Sequence, residues 1–256
     1  MGLATESPLY PIPADRLIPE KVTYWDGKAG AECVDVLGID VGVAKGLHVV
    51  ALALSGRSVA GAFTILGNGI SVEDVAAICL RRHPACIAID SPPAWARAGN
   101  ARTGEQALRR LGIHLYATPS DPEKQKSDFY GWMKVGFKVF AALQSQYPLY
   151  REGSVDRHAF EVFPHATAVA LAGRHRAKEE RKVAWRKQIL ADHGFDTGPL
   201  RNADCVDAAL AAVTAAYALR GRFSAFGDPT EGVIVTPYPD AAERFRAARR
   251  SADTDA

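Results

Sequence analysis

The sequence predicts an α/β protein whose mixed five-stranded sheet carries helices on both faces. Three β-rich runs follow one another with short turns between them, which indicates an antiparallel meander at the start of the sheet. Two further apolar strands come later, each separated from the one before by helical segments, and such crossovers build a parallel part of the sheet. The chain has 256 residues, of which 48% are apolar, so it is long enough for one such domain.

The individual elements can be placed from turn residues and apolar periodicity. The predicted strands lie at residues 34–40, 46–55, 57–66, 85–89 and 158–163, with a last short strand at 232–236. The predicted helices lie at residues 72–82, 103–111, 128–146, 178–192 and 202–219. Ser71 with Asp74 three residues later predicts the start of the first helix. This order of strands and helices is that of the RNase H fold.

The chain divides into three predicted parts. Residues 1–32 form an irregular N-terminal arm, because four prolines before residue 20 exclude regular structure there. Residues 33–240 form the RNase H-like domain, and residues 241–256 form a C-terminal tail. No apolar stretch is long enough to span a bilayer. The start of the chain lacks the apolar block of a secretory signal. The four cysteines have no metal or redox spacing, so we expect a reduced, cytoplasmic protein with no membrane contact.

Positive charge is concentrated in the middle of the sequence. Residues 97–187 hold 17 of the 31 Lys and Arg residues but only 9 of the 29 Asp and Glu residues. Such an excess suits an anionic polymer, although solvated helix faces explain it equally well. The candidate nucleic-acid contacts are Lys124, Lys126, Lys134, Lys138, Lys178, Arg181, Lys182, Arg186 and Lys187.

Two predicted buried strands end in an aspartate. Asp40 closes the run Val-Asp-Val-Leu-Gly-Ile-Asp, and Asp90 closes Ala-Cys-Ile-Ala-Ile-Asp. Sites of open α/β sheets lie beyond the carboxyl ends of the strands. We therefore expect the two carboxylates to converge on adjacent parallel strands, although either one alone is also typical of a turn or helix cap.

Three more acids are candidates for the same site. Asp204 and Asp207 lie three apart on one predicted helix and share a face, and Asp204 is the weaker candidate because it can cap the helix instead. Glu161 interrupts an apolar strand, where a solvent-facing position is the alternative. Gathered carboxylates repel one another, and hard Mg²⁺ or Mn²⁺ ions remove that repulsion. Two such ions ~4 Å apart can promote phosphodiester hydrolysis.

At these residues the chain resembles the domain of unknown function 429 family, which is predicted to contain RNase H-like nucleases. The matching segments follow the family's order over roughly residues 34–237. They are LGIDVGVAKG, IAIDSPPAW, ALRRLGI with TPS, FEVFPHAT, DCVDAALAAVTAA and PTEGVIVTP. The resemblance places the family's acidic positions on Asp40, Asp90, Glu161 and the pair Asp204 and Asp207. The Asp-x-x-Asp on the last predicted helix is also similar to that of RuvC-type resolvases.

The resemblance implies a metal-dependent nuclease with Asp40, Asp90, Glu161 and Asp207 as catalytic residues. The same four residues and Asp204 would be the metal ligands. Two other functions stay open at this point. A non-catalytic module with this fold could bind nucleic acid or protein. A phosphotransferase of the sugar-kinase and actin-like superfamily begins with a similar loop, but it needs two copies of the fold, and this chain shows one.

Overall fold

The structure is a computed structural model that describes residues 12–13, 34–54 and 61–254. The irregular arm predicted for residues 1–32 lies outside the described part of the chain, apart from Ile12–Pro13, which form a two-residue strand. Within the described residues, no helix combines the length and the apolar character needed to cross a membrane.

A mixed sheet forms the centre of the domain. Its seven longer strands are β1 Val34–Val41, β2 Leu47–Leu54, β3 Phe63–Ile70, β4 Ile87–Asp90, β5 Ala159–Val162, β6 Phe223–Phe226 and β7 Ile234–Pro237. They lie side by side in the order β3-β2-β1-β4-β5-β7-β6. The first three strands pair antiparallel, β1, β4, β5 and β7 are successive parallel neighbours, and β6 is antiparallel to β7. Ile12–Pro13 pairs antiparallel with the outer side of β6.

The prediction of a five-stranded sheet is wrong in number, because the last predicted strand, β7, joins the sheet beside β5 and the unpredicted β6 extends it further. Strand β6 has only four residues, too few for a recognisable alternation of apolar and polar positions. The third strand also lies later than its predicted range of 57–66. It continues to Ile70, and two register shifts against β2 accommodate Leu66 and Gly69 as extra residues.

Eight α-helices are described. They are α1 Val72–Arg82, α2 Thr103–Arg110, α3 Pro122–Gln125, α4 Gly131–Leu143, α5 Pro164–Ala172, α6 Lys182–Asp192, α7 Ala203–Leu219 and α8 Ala241–Thr254. A 3₁₀ turn, Asp128–Tyr130, precedes α4. The predicted start of α1 is confirmed, because the Ser71 hydroxyl accepts from the Asp74 N–H and the Asp74 carboxylate accepts from the Ser71 N–H, each at 3.1 Å.

Several helices differ from the sequence prediction. Helix α6 begins at Lys182 rather than at residue 178, because the Glu180 carboxylate accepts from the Ala177 N–H at 2.8 Å and closes a separate turn. Helices α3 and α5 were not predicted. Helix α8 lies within the segment assigned to a C-terminal tail, and its Phe245 is buried. The helix that carries Asp-x-x-Asp is therefore not the last one.

Helices cover both faces of the sheet, as the sequence predicts. Side chains of β1 alternate between the two faces: Val36 belongs to the apolar cluster that includes α7, whereas Leu37 and Ile39 belong to the cluster that includes α1 and α4. Asp40 follows Val36 by four residues on the same strand, so its side chain lies on the same face of the sheet, the α7 side. Gly38 lies on that side too, and this allows α7 to approach β1 closely: a Cβ at Gly38 would lie 2.0 Å from the carbonyl oxygen of Ala208.

Candidate metal centre

Asp40 and Asp90 lie next to each other at the carboxyl ends of two parallel strands. Asp40 is the penultimate residue of β1, Asp90 is the last residue of β4, and the two are direct partners in the register. Their side chains share the α7 face, since Ala88 of β4 packs in the same apolar cluster as Val36 of β1. The predicted convergence of the two strand ends is confirmed.

Asp207 joins this pair from the first turns of α7. The helix begins after Asn202, whose side-chain oxygen accepts from the Cys205 N–H at 2.7 Å. The close packing of α7 against Gly38 brings its N-terminal end to the carboxyl edge of the sheet. One carboxylate oxygen from each of Asp40, Asp90 and Asp207 lies within 4.8 Å of the others. We call these three residues the acidic triad.

Burial and mutual repulsion raise the free energy of the ionised triad, and they raise the pKa values of its carboxyl groups. Burial, followed by the charges of Asp207 and Asp204, raises the pKa of Asp40 from 3.8 to about 7. Burial, followed by the charges of Asp40 and Asp207, raises the pKa of Asp90 well above its usual value. A bound divalent cation would favour the ionised forms. Three closely spaced carboxylate oxygens are donors that suit Mg²⁺ or Mn²⁺, so the residues present fit the expected metal.

Two of the predicted nucleic-acid contacts lie against the triad. Arg186 of α6 is buried and its Nη1 donates to Oδ1 of Asp207. Lys182, one turn earlier, is exposed, and its Nζ lies 3.3 Å from Oδ2 of Asp207. These cations partly offset the negative charge of the triad, and they fix the Asp207 side chain from the α6 side.

Asp204 lies beyond the triad, on the side of β2. The Nζ of Lys45 donates to its Oδ2 at 3.0 Å. The ring of His48 lies between two acids, with Nδ1 at 3.8 Å from Oδ2 of Asp40 and Nε2 at 3.9 Å from Oδ2 of Asp204. His48 is buried, and the described residues offer its Nδ1 no hydrogen-bond partner. The sequence analysis missed His48, although it is the one polar residue in the apolar strand LHVVALAL.

Glu161 takes part in a separate buried network. It is on β5 beside Ile89, and Arg102 Nη2 donates to both of its carboxylate oxygens at 2.5 Å. Arg102 Nε donates to Glu105 at 3.1 Å, and Glu105 also accepts from the backbone N–H of Thr118. Burial raises the pKa of Glu161 to about 7, and the ion pair with Arg102 opposes that rise. Glu161 is thus paired with Arg102 and is not part of the group of closely spaced carboxylates, and its predicted role as a metal ligand stays a prediction.

A pocket of about 310 Å³ opens beside the triad. Asp90, Asp207 and Glu161 line it, and so does His165 at the start of α5. Burial, followed by the charge of Arg186, lowers the pKa of His165 to about 4, so this ring is neutral near pH 7. The remaining polar lining includes Ser91, Glu105, Thr118 and Lys182, and the apolar lining includes Leu115, Tyr116, Trp132, Met133 and Phe163.

The other predicted nucleic-acid contacts are spread over two regions. The exposed residues are Lys124 and Lys126 in and just after α3, Lys134 and Lys138 in α4, and Lys178 and Arg181 before α6. Some of them make local contacts: Lys124 donates to Asn100 at 2.8 Å and Lys126 to Glu123 at 2.7 Å. Lys187 is half-buried and donates to the carbonyl oxygen of Leu200. Nucleic-acid binding by these residues stays a prediction.

The chain matches the model of a known family and is similar to a solved structure. Residues 38–231 match the family model described as "Protein of unknown function (DUF429)", and this range contains the whole acidic triad with Glu161 and Asp204. No curated protein matches the chain. A solved structure titled "Thermus thermophilus RuvC structure" is similar at 18% identity with a TM-score of 0.39, covering 73% of this chain and 96% of that chain. The family match covers well over half of the sequence, so the chain belongs to the DUF429 family.

Proposed function

We propose that the protein is a metal-dependent nuclease that hydrolyses phosphodiester bonds of nucleic acid at the acidic triad. One observation carries the proposal. Asp40, Asp90 and Asp207 come from three separate elements, yet their oxygens meet within 4.8 Å at the carboxyl edge of the sheet. No ion pair inside the triad is possible, because all three groups are acids, and a hard cation is the partner that suits them.

The triad would hold Mg²⁺ or Mn²⁺, and Asp204 is the acid best placed to complete the ligand set. It lies across the His48 ring from Asp40, and the exposed Lys45 pairs with it. Bound divalent cations supply Lewis acidity that activates water and stabilises the leaving oxygen of a phosphodiester. The chain's own contribution is to fix the carboxylates on strand ends and on the first turns of a packed helix.

The basic residues beside the triad support nucleic acid as the substrate. Lys182 is exposed at the edge of the pocket, within reach of a phosphate that approaches Asp207. The other exposed candidates would contact phosphates further along the chain of the substrate. Such contacts position a nucleic acid without reading its sequence, so we propose binding that is broad and salt-sensitive.

A cleavage assay across metals tests the proposal. Single- and double-stranded DNA and RNA are incubated with Mg²⁺, Mn²⁺, Ca²⁺ or chelator. We expect cleavage with Mg²⁺ or Mn²⁺ and none with Ca²⁺, because Ca²⁺ takes more ligands at longer distances and misplaces the reacting oxygens. The Asp40→Asn substitution should nearly abolish cleavage, and the variant protein should keep the fold.

Two outcomes would contradict the nuclease. Cleavage that persists in chelator would refute a metal-dependent mechanism. Full activity of the Asp40→Asn variant would show that the acidic triad is not required for cleavage. Thermal stabilisation by Mg²⁺ or Mn²⁺ without cleavage of any substrate would favour a non-catalytic binding module.

A further inference from the structure

Exposed apolar side chains gather at the rim of the pocket. Among the described residues, four large apolar side chains are more than half exposed, and three of them lie here: Tyr116 at 62%, Phe129 at 53% and Val43 at 60%. The rings of Tyr116 and Phe129 are 5.3 Å apart, and that of Trp132 is 6.2 Å from Tyr116. Val43 adjoins the start of α4, because a Cβ at Gly131 would lie 3.3 Å from its Cγ2. We call Tyr116, Phe129 and Trp132 the aromatic rim.

The aromatic rim is continuous with the acidic triad. Tyr116 and Trp132 line the same pocket as Asp90 and Asp207. Its volume of about 310 Å³ is at the small end of the range for ligand sites, roughly 300–1,000 Å³, so it admits one nucleotide-sized group. A group that contacts the rim would thus be attached to atoms close to the proposed metal site.

The surroundings of the rim favour a nucleic-acid base over an apolar protein or lipid surface. The exposed Lys182 lies at the pocket wall, and the exposed Lys134 follows Trp132 by two residues. The segment between Tyr116 and Phe129 adds little net charge, because its exposed lysines are accompanied by the exposed acids Asp121, Glu123 and Asp128. Aromatic rings beside cationic groups are the combination that binds single strands, because each base can stack on a ring while its phosphate contacts a lysine. The ring planes of Tyr116 and Phe129 make an angle of 78° with each other, so the two rings present their faces in different directions.

We propose that the aromatic rim stacks an unpaired base beside the scissile phosphate, so that the substrate is single-stranded nucleic acid or a site with unpaired bases. This inference rests on the proposed nuclease function. A base within a continuous duplex is already stacked and paired, and it reaches such a rim only after it is extruded, at a cost of a few kcal/mol. The protein should therefore bind single strands more tightly than a duplex of the same sequence.

The test measures binding in the absence of metal, so that it does not depend on cleavage. Fluorescence anisotropy compares labelled single-stranded DNA, single-stranded RNA and their blunt duplexes in chelator at fixed salt. We expect Tyr116→Ala and Phe129→Ala each to weaken single-strand binding by about 5- to 100-fold while duplex binding changes little. Tyr116→Phe keeps the ring and should retain wild-type binding.

Leu80→Ala is the matched control, because Leu80 on α1 is the fourth exposed large apolar side chain of the described residues, at 52%, and is not part of the rim. It should bind like the wild type. All four variants should also keep the Mg²⁺-dependent rise in melting temperature, which reports on the triad alone.

The results separate this inference from the nuclease proposal. Equal single-strand binding by wild type and Tyr116→Ala, or tighter binding of the duplex, would overturn the base-stacking rim even if cleavage occurs. Ring-dependent single-strand binding without any cleavage in Mg²⁺ or Mn²⁺ would support the rim and refute the nuclease.

Discussion

Replacing Asp40 by Asn should make the metal-free protein more stable at neutral pH and insensitive to Mg²⁺. The substitution keeps the shape of the side chain and removes one charge from the acidic triad. The ionised Asp40 carboxylate faces two penalties, burial and the neighbouring charges of Asp207 and Asp204. Asn at this position has neither penalty, but it also removes one of the three carboxylates that would bind the cation.

The pKa of Asp40 sets the size and the pH range of the effect. It rises from 3.8 to about 7 on folding. Between these two values the folded protein holds a proton that the unfolded chain has released, so the free energy of unfolding falls as pH rises. At about 1.4 kcal/mol per pH unit, ionised Asp40 destabilises the metal-free fold by at most about 4 kcal/mol above pH 7. For Asp40→Asn we expect a gain of roughly 2–4 kcal/mol at pH 8, or about 5–15 °C in melting temperature.

The assay is a set of thermal melts at pH 5 and pH 8, in chelator and then with Mg²⁺. The wild type should melt lower at pH 8 than at pH 5 in chelator, and Mg²⁺ should reverse most of that loss. Asp40→Asn should show a smaller pH difference and little response to Mg²⁺. Asp35→Asn is the control, because Asp35 is on the same strand but is paired with Arg82 at 3.4 Å. If Asp40→Asn is no more stable than the wild type at pH 8 in chelator, the electrostatic account of the triad is refuted.

Three further outcomes are expected. Gly38→Ala should lower the free energy of unfolding by about 3 kcal/mol in urea titrations, since its Cβ would collide with the backbone of Ala208, and unchanged stability would contradict the packing of α7 on β1. Arg102→Met should cost about 3–5 kcal/mol at pH 8, because it leaves Glu161 buried without a cation, and the loss should shrink at pH 5; a loss independent of pH would contradict this. Lys134→Ala should reduce the slope of log affinity against log salt by about 0.7–0.9, and an unchanged slope would exclude a phosphate contact there.

Sequence patterns were sufficient for the parts of the site that depend on regular elements. Two apolar runs that each end in Asp predict neighbouring parallel strands, and Asp40 and Asp90 are direct partners in the register. The alanine-rich helix after Asn202 also has its predicted start, which places Asp207 near its N-terminal end. These inferences hold because the buried apolar residues of a strand or helix leave few ways in which that element can be placed against its neighbours.

Long-range pairing was beyond the reach of local patterns. His48 faces Asp40 across a hairpin, and a lone histidine in an apolar strand has many possible partners until the register is known. Arg102 is a charged residue just before a helix, where sequence predicts solvent exposure, yet it is almost completely buried against Glu161. Strand β6 was missed for a different reason: its partner β7 is close in sequence, but its four residues are too few to carry a periodic signal.

The alternation of side chains along β5 favours Asp204 over Glu161 as the fourth acid of the proposed metal site. Phe160 and Val162 pack in the cluster that includes α7, so Glu161 begins on the opposite face of the sheet from the triad, and Arg102 already balances its charge. Asp204 lies on the triad side and is paired with the exposed Lys45. Glu161→Gln should therefore lower stability by about 1–3 kcal/mol and keep the Mg²⁺-dependent rise in melting temperature, whereas Asp204→Asn should diminish that rise with little loss of stability. The reverse pattern in paired melts of the two variants would assign the ligand to Glu161, and it would require the ion pair with Arg102 to break when metal binds.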